Sequence, residues 1–183
     1  MTVSLDGFVV GPQDSTEEPM GIGGFRLFNW LDHRHDPGPN GQVFAESTAT
    51  RAVIAGRRTY EHANRWNGDH HDGVPIFILC RREPGIDIGE WPLVTPVDDI
   101  TTAMNRAKEA AGDENVLVHG AGIAQLALAA GVVDEIELHV IPVLFGQGRR
   151  LFENLAAEQI ELERTRILEG EGGVTHMHYR VQR

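Results

Sequence analysis

Apolar and polar positions change their spacing along the chain, and each change marks a predicted element. Residues 116–118 form a short apolar run that suits a buried strand. A turn of mostly small residues follows at 119–122, and apolar residues then recur at helical spacing at Ile123, Leu126, Ala127 and Ala130. Residues 136–140 alternate with the period of a strand, and Pro142 marks its end. This stretch therefore predicts strand, turn, helix and strand.

The same patterns predict the remaining elements. Strands are expected at residues 1–10, 52–55, 75–79, 91–95, 160–168 and 174–181, and helices at 25–33, 43–48, from 57 onward and at 100–111. Loops are expected at 11–24 and 35–41, and a hairpin turn at 169–173. This order predicts an α/β fold in a single domain over residues 1–183. Its central sheet is mostly parallel and twisted, with an antiparallel C-terminal hairpin and helices on both faces.

Charge and composition narrow the classes of function. The formal net charge of −11 argues against a nucleic-acid partner and against an anionic membrane surface. The single cysteine, Cys80, excludes an internal disulfide and favours a reducing compartment. No apolar run reaches the length of a membrane span, and the N-terminus has no signal-peptide pattern. We therefore expect a cytoplasmic protein.

Three places suited to anions follow three predicted strands. Gly56-Arg57-Arg58-Thr59 opens a helix, Arg81-Arg82 follows the strand at 75–79, and the glycine turn at Gly120 precedes a helix. Helix N-termini and guanidinium groups bind phosphates, and ligands of α/β sheets gather at the carboxyl ends of strands. Each place alone also fits exposed arginines or close backbone packing. Together they predict a cradle for a dinucleotide.

Ionisable residues elsewhere leave alternatives open. Asp6 either hydrogen-bonds a neighbouring turn or lies at a ligand cleft, and Asp32 is a second carboxylate for such a cleft. His70 and His71 are expected to be solvated loop residues, because no Cys or spaced carboxylate completes a ligand set. We therefore expect no metal site. Cys80 has no evident catalytic partner and is expected to pack in the core.

Several segments together resemble the dihydrofolate reductase family in its broad sense, in the branch of the riboflavin-biosynthesis reductase domain. The matching segments are TVSLDGFVVGP, AVIAGRRTYE, PIFILCRR, LALAAGVVDEIELHVIPVLFGQGRRLFE and GVTHMHYRV, which cover nearly the whole length. The resemblance implies an NADPH-dependent reductase of a small heterocycle such as a pterin or an aminopyrimidine, and a homodimer. No deaminase domain is expected within these residues.

The resemblance also implies roles for residues at the matching positions. Gly56, Arg57, Arg58 and Thr59 would hold cofactor phosphates, and Arg81 or Arg82, beside Cys80, would bind the 2′-phosphate. Gly11 would contact the nicotinamide, and Asp6, Trp30 and Asp32 would lie near the substrate. The pyrophosphate would lie over a segment made of Val118, Gly120, Ala121, Gly122, Ile123, Ala124 and Gln125.

One departure from the family lies in the turn after Val118. The family usually has two adjacent glycines there, where this chain has His119-Gly120-Ala121-Gly122. Either a Cβ atom weakens cofactor binding, or the turn is shifted by one residue. This departure, with the lack of an unambiguous proton donor, keeps a non-catalytic nucleotide-binding dimeric scaffold as the alternative. A hydrolase using Asp6 and Asp32 lacks a defined nucleophile.

Overall fold

The structure is a computed structural model that describes residues 1–80, 90–155 and 159–182. Its strands, in chain order, are β1 (Thr2–Ser4), β2 (Phe8–Val10), β3 (Ala52–Gly56), β4 (Ile76–Leu79), β5 (Val94–Val97), β6 (Val116–His119), β7 (Glu135–Ile141), β8 (Arg149–Arg150), β9 (Leu162–Glu169) and β10 (Thr175–Val181). Its α-helices are α1 (Pro39–Thr48), α2 (Arg57–His62), α3 (Ile100–Ala111) and α4 (Ala121–Ala129). Short 3-10 segments cover Gly24–His33, Asn64–Gly68 and Glu171–Gly173. None of the helices in this described part of the chain has the length and apolarity that crossing a bilayer requires.

The chain divides into two compact units. Unit 1 comprises Met1–Glu46 and Val133–Arg183, and unit 2 comprises Ser47–Val132. Unit 1 is therefore made from both ends of the chain, and unit 2 is one continuous segment.

Unit 2 is built on a parallel sheet with strand order β5-β4-β3-β6. Successive residues of β3 face opposite sides, as strand geometry requires. Ala52 and Ile54 pack with α3 and α4 residues, whereas Val53 and Ala55 pack in a second cluster that includes Tyr60. Because both faces of β3 are covered, its residues 52–55 are all fully buried.

Unit 1 is built on a mixed sheet with strand order β1-β7-β10-β9. β1 runs parallel to β7, and β7, β10 and β9 are antiparallel neighbours. Leu27, Trp30, Val43, Ile141 and Val174 form its core. β9 lies at the edge, and most of its side chains are exposed. The parallel sheet of unit 2, the helices on its faces and the antiparallel pair β9–β10 confirm the predicted α/β class.

Local boundaries differ from the sequence prediction in three places. The strand predicted over residues 1–10 is interrupted by a turn at 5–7, so that β1 and β2 are separate. The loop predicted at 35–41 is shorter, because α1 begins at Pro39, whose fixed φ suits a first helical position. The strand predicted at 91–95 is β5, which lies at Val94–Val97. The helix predicted at 100–111 is confirmed, with the Asp99 carboxylate accepting the amide of Thr102 at 2.8 Å.

Candidate functional site

Strand ends of unit 2 converge on one edge of its parallel sheet. β3 and β4 end in register at Gly56 and Leu79, and Ala55 lies beside His119 at the end of β6. Parallel strands that end together place the helices following them at the same edge. We call the segments Gly56–Thr59 and Gly120–Gln125 the carboxyl edge. It contains most of the residues that the resemblance assigns to the cofactor.

Gly120 joins the two segments of the carboxyl edge. It is the N-cap of α4 with φ of 107°, a backbone conformation that disfavours any residue with a Cβ atom. A Cβ atom at this position would lie 2.4 Å from Oγ1 of Thr59. The absence of a side chain therefore lets the start of α4 approach the start of α2.

The start of α4 has the geometry of an anion site. The first backbone hydrogen bond between residues four apart in α4 runs from the amide of Ala124 to the carbonyl of Gly120, at 3.0 Å. The preceding amides of Ala121, Gly122 and Ile123 have no carbonyl one turn earlier in the helix to bind. Gly122 is exposed, and a Cβ atom there would meet open space, whereas Ala121 and Ile123 are buried. The start of α4 can thus bind an anion such as a phosphate, which backbone amides and a helix dipole attract.

The arginines of α2 lie on the protein surface. Arg57 and Arg58 are exposed, and Nε of Arg57 lies 3.8 Å from the carboxylate of Glu61 one turn along the helix. That distance in an exposed pair makes a weak contact. Guanidinium groups at the surface can bind a phosphate or carboxylate group that arrives from solution.

Cys80 follows β4 and is a core residue. It is 8% exposed, and its amide binds the carbonyl of Val97 at 3.0 Å. The packing role predicted for its side chain agrees with this burial. Arg81 and Arg82, to which the resemblance assigns the 2′-phosphate, lie outside the described residues.

A chain of three histidines lies next to the carboxyl edge. Nε2 of His70 lies 3.0 Å from Nδ1 of His119, and Nδ1 of His70 lies 2.7 Å from Nδ1 of His71. Nε2 of His71 lies 3.0 Å from the carbonyl oxygen of Thr50. We call His71, His70 and His119 the histidine chain. The expectation that His70 and His71 are solvated loop residues is wrong, because both are partly buried and bonded; no spacing in the sequence links them to His119.

The ring of Trp66 covers the histidine chain. Its centroid lies 5.4 Å from that of His119 in a stacked arrangement and 4.6 Å from that of His70. Burial lowers the pKa of His70 to about 3, with His119 and His71 adding to the effect. Burial also lowers the pKa of His119 to about 4. His70 and His119 are therefore neutral at physiological pH.

Trp66 is presented by a left-handed turn at Asn64–Gly68. φ is 49° at Asn64, 54° at Arg65, 46° at Trp66 and 50° at Asn67, and it is 84° at Gly68. Such conformations cost non-glycine residues on the order of 1 kcal/mol each. The contacts of Trp66 with Tyr60, His70 and His119 are the compensation that the structure offers.

In unit 1, Asp6 holds a turn together. Its carboxylate accepts the hydroxyl of Ser4 at 2.6 Å, the amide of Phe145 at 3.1 Å and the amide of Gly146 at 2.7 Å. These bonds, that of Ser4 first, lower the pKa of Asp6 to about 2. The side chain is therefore ionised at neutral pH and has acceptor roles in the turn. These contacts agree with the structural alternative; a catalytic role of Asp6 stays a prediction.

Trp30 and Asp32, the other two predicted catalytic residues, differ in burial. Trp30 is 5% exposed, packs on the rings of His139 and His176, and donates its indole N–H to the hydroxyl of Thr2 at 3.2 Å. Asp32 lies exposed in the 3-10 segment Gly24–His33. Trp30 is thus a core residue of unit 1, and contact of either residue with a substrate stays a prediction.

A buried polar network surrounds Trp30. Nδ1 of His139 lies 2.9 Å from Nδ1 of His176, and Nε2 of His176 lies 3.0 Å from Oδ1 of Asn40. The amide nitrogen of Asn40 donates to the carbonyls of Trp30 at 3.1 Å and Glu171 at 3.2 Å. Burial lowers the pKa of both histidines. Sequence patterns gave no indication of this network, since its members are 10 to 136 positions apart.

Gly11 lines a polar pocket of unit 1. The pocket has a volume of about 420 Å³, and its wall includes the ion pair of Arg149 and Asp14 at 3.3 Å. The other residues of the wall are Pro12, Gln13, Gln147, Gly148 and Glu153. This pocket is large enough for part of a small ligand, and the predicted contact of Gly11 with a nicotinamide stays untested.

The fold and the carboxyl edge first define a class: an α/β protein of the dihydrofolate reductase-like type. Dihydrofolate reductase from Enterococcus faecalis, solved with NADP(H) bound, is similar over 79% of this chain and 82% of its own, with a TM-score of 0.54 and 18% identity. The family is narrower than the class. The RibD C-terminal domain matches residues 1–175, and the chain belongs to that family.

Two proteins of similar length resemble this chain over nearly all of it. YwjB of Bacillus subtilis (strain 168), an uncharacterized protein, is 27% identical over 187 residues, which are 98% of this chain and 94% of YwjB. A candidate riboflavin biosynthesis protein from Shewanella sp. PV-4 shares the fold with a TM-score of 0.73 and 20% identity, over 99% of this chain and 96% of its own.

A bifunctional enzyme shares the fold over part of its length. It is the diaminohydroxyphosphoribosylaminopyrimidine deaminase/5-amino-6-(5-phosphoribosylamino)uracil reductase of Thermotoga maritima. Its TM-score is 0.66 at 13% identity, over 98% of this chain and 54% of that enzyme. The chain thus spans about half of it. The two reductases among these structures, at 13% and 18% identity, share the fold of this chain.

Proposed function

We propose that this protein is an NADPH-dependent reductase of a small heterocyclic substrate, of the pterin or aminopyrimidine kind. The observation that carries the proposal is the close approach of Gly120 to the side chain of Thr59. Because Gly120 has no Cβ atom, the starts of α2 and α4 come together. A bound dinucleotide would supply the hydride. The protein would hold its phosphates with the amides at 121–123 and with Arg57 and Arg58.

Further features support this site over a site for another ligand class. The net charge of −11 opposes binding of nucleic acid, whereas two exposed arginines at one sheet edge attract a small anion locally. We extend the proposal to a cytoplasmic homodimer on the grounds of the single cysteine and the family resemblance. Light scattering of the purified protein would give the oligomeric state.

The test is a titration of NADPH against tryptophan fluorescence, with calorimetry for the affinity. We expect saturable binding, and the double variant Arg57→Ala/Arg58→Ala should weaken it by about tenfold or more, because a charge-assisted hydrogen bond contributes about 1.5–3 kcal/mol. Arg106→Ala is the matched control, since Arg106 is an exposed arginine of the same unit on α3. Absence of binding at millimolar NADPH would refute the proposal.

A second function, non-catalytic nucleotide binding on the same fold, is favoured by one observation. Asp6 is ionised and accepts three hydrogen bonds, so it does not offer a proton to a substrate at neutral pH. Oxidation of bound NADPH in the presence of pterins and aminopyrimidines separates the two functions. Binding without oxidation by any such compound would favour the scaffold.

A further inference from the structure

The histidine chain has only one hydrogen-bond polarity when its rings are neutral. Nε2 of His71 lies 3.0 Å from the carbonyl oxygen of Thr50, which cannot donate, and 3.3 Å from the hydroxyl of Thr50, which donates to the carbonyl of Ser47 at 2.9 Å. Nε2 of His71 must therefore carry a proton. Nδ1 of a neutral His71 is then an acceptor and takes the proton of Nδ1 of His70 at 2.7 Å. Nε2 of His70 in turn accepts from Nδ1 of His119 at 3.0 Å. The carbonyl of Thr50 thereby fixes the tautomers of all three rings.

This polarity leaves one place for an additional proton. In His71 and His70, each ring nitrogen already donates or accepts within the chain. A proton added to either acceptor nitrogen would face the N–H of the next ring and break a hydrogen bond. Nε2 of His119 is the end of the chain and holds a lone pair, so a proton there leaves all three bonds intact. His119 would then be an imidazolium that still donates to His70.

The backbone of His119 adjoins both segments of the carboxyl edge. It precedes Gly120, the N-cap of α4, and lies beside Ala55, whose next residue is the N-cap of α2. Positive ends of helices disfavour a cation when no anion is present. A phosphate at this edge reverses that preference, because it attracts the imidazolium.

Burial and then the charge of the N-terminal ammonium lower the pKa of His119. The neighbouring elements of unit 2 add further charged groups. α4 carries no ionisable side chain, and β3 and β6 carry none besides His119. α2 carries Arg57, Arg58, Glu61 and His62, and the left-handed turn with the residue after it carries Arg65 and Asp69. The pair Arg57–Glu61 is internal to α2, and the carboxylate of Asp69 accepts the amide of Gly73 at 3.1 Å.

We propose that binding of the dinucleotide phosphates at the carboxyl edge is coupled to uptake of one proton by Nε2 of His119, with the histidine chain holding that ring in place. The inference rests on the proposed function and adds a pH dependence to it.

The test is calorimetric titration with NADP⁺ between pH 7.5 and pH 5.5 in buffers of different ionisation enthalpy. NADP⁺ is used because the oxidised form withstands acid. A parallel titration with NAD⁺, which lacks the 2′-phosphate, shows how much of the proton uptake comes from that phosphate. The test variant His119→Asn keeps a donor near the position of Nδ1 but cannot take up a proton. His35→Asn, at an exposed histidine of unit 1, controls for the loss of an imidazole ring.

On binding NADP⁺, the wild-type protein should take up close to one proton more than the His119→Asn variant. Its affinity relative to that variant should rise by up to about tenfold per pH unit as the pH falls. Nitrogen NMR of the histidine rings should show the Nδ1–H tautomer of His119 in the free protein and both ring nitrogens protonated in the complex, which needs no variant.

Three outcomes contradict the inference. Equal proton uptake by wild type and His119→Asn, or a neutral His119 in the complex, would overturn the coupling while leaving NADPH binding in place. An Nε2–H tautomer of His119 in the free protein would overturn the assigned polarity. Failure of NADP⁺ and NADPH to bind at any pH would overturn the proposed function and the coupling with it.

Discussion

Asp6 illustrates how one carboxylate can be fully occupied by its own turn. Its oxygens accept two backbone amides and one hydroxyl, all contributed by residues of unit 1. Such bonds favour the ionised form, which is why the pKa of Asp6 is lowered to about 2. The side chain therefore ties β1 to the segment that follows β7.

Replacing Asp6 should reveal this role through stability. Because the folded pKa lies below the ordinary value of 3.8, the contribution of the carboxylate is present above that value and is lost as the pH falls towards 2. We expect Asp6→Asn to lower the thermal midpoint at pH 7 and to leave it closer to wild type at pH 3. Asp32→Asn, at an exposed carboxylate, should change neither. An unchanged midpoint for Asp6→Asn would contradict the structural role.

At the scale of residues, the sequence predicted positions better than contacts. Gly56, Arg57 and Gly120 were expected at strand ends, and the structure places them there because local spacing determines strand and helix ends. The bond between His70 and His119 could not be predicted, because the two residues are 49 positions apart and meet only through the sheet. For the same reason Trp30 gave no sign that it packs on His139 and His176.

The left-handed turn is the element with the least usual backbone. Its last residue, Gly68, has φ of 84°, and a Cβ atom there would lie 2.3 Å from Cε3 of Trp91. The ring of Trp91 thus occupies the space that a side chain would take. Sequence spacing did not predict this turn, since Asn64–Asn67 contains no glycine and its conformation depends on packing around Trp66.

A pair of substitutions separates backbone strain from this ring contact. Gly68→Ala and Gly73→Ala both place a Cβ atom on a left-handed residue, but a Cβ atom at Gly73, with φ of 69°, has no neighbour within 4 Å. We expect about 1 kcal/mol of destabilisation for Gly73→Ala. Gly68→Ala should lose about 1–3 kcal/mol more and change the emission of Trp91. Urea unfolding measures both, and equal losses would argue against the contact of Trp91 with Gly68.

The ends of helices were predictable where capping residues mark them in the sequence. α3 begins after a capping aspartate and ends before a glycine, and both limits were predictable. α1 begins inside a segment rich in proline and glycine that had been assigned to a loop. The side chain of Asn40, in the first turn of α1, binds two distant carbonyls, and that contact is not visible in local composition.

Both units bury neutral histidines, and this affects the stability of the whole molecule. The pKa values of His139 and His176 in unit 1 and of His70 and His119 in unit 2 are all lowered, by desolvation first. Each group is neutral in both states above its unfolded pKa of 6.5. Below that value the unfolded chain binds protons that the folded protein does not, so stability falls with the pH.

We expect the free energy of unfolding to be steady above about pH 7 and to fall on acidification from there to about pH 4, by about 1.4 kcal/mol per pH unit for each histidine concerned. Urea unfolding at pH 7.5, 6 and 5 measures it. His139→Asn, which keeps a donor towards His176, should flatten the dependence, whereas His35→Asn should not. A wild-type stability that does not change between pH 7.5 and 5 would contradict the burial of neutral histidines.

Asn40 has a consequence for how the protein is made on the ribosome. Its fully buried amide joins α1 to His176 of β10 and to the carbonyl of Glu171, residues that emerge more than 130 positions later. Unit 2 is continuous and is complete once Val132 has been synthesised, whereas unit 1 needs both chain ends. Residues 1–46 must therefore wait, without their partner strands, until β7, β9 and β10 have been synthesised. Nascent chains arrested once Val132 has left the ribosomal tunnel should resist protease in unit 2 and be cut within the N-terminal segment.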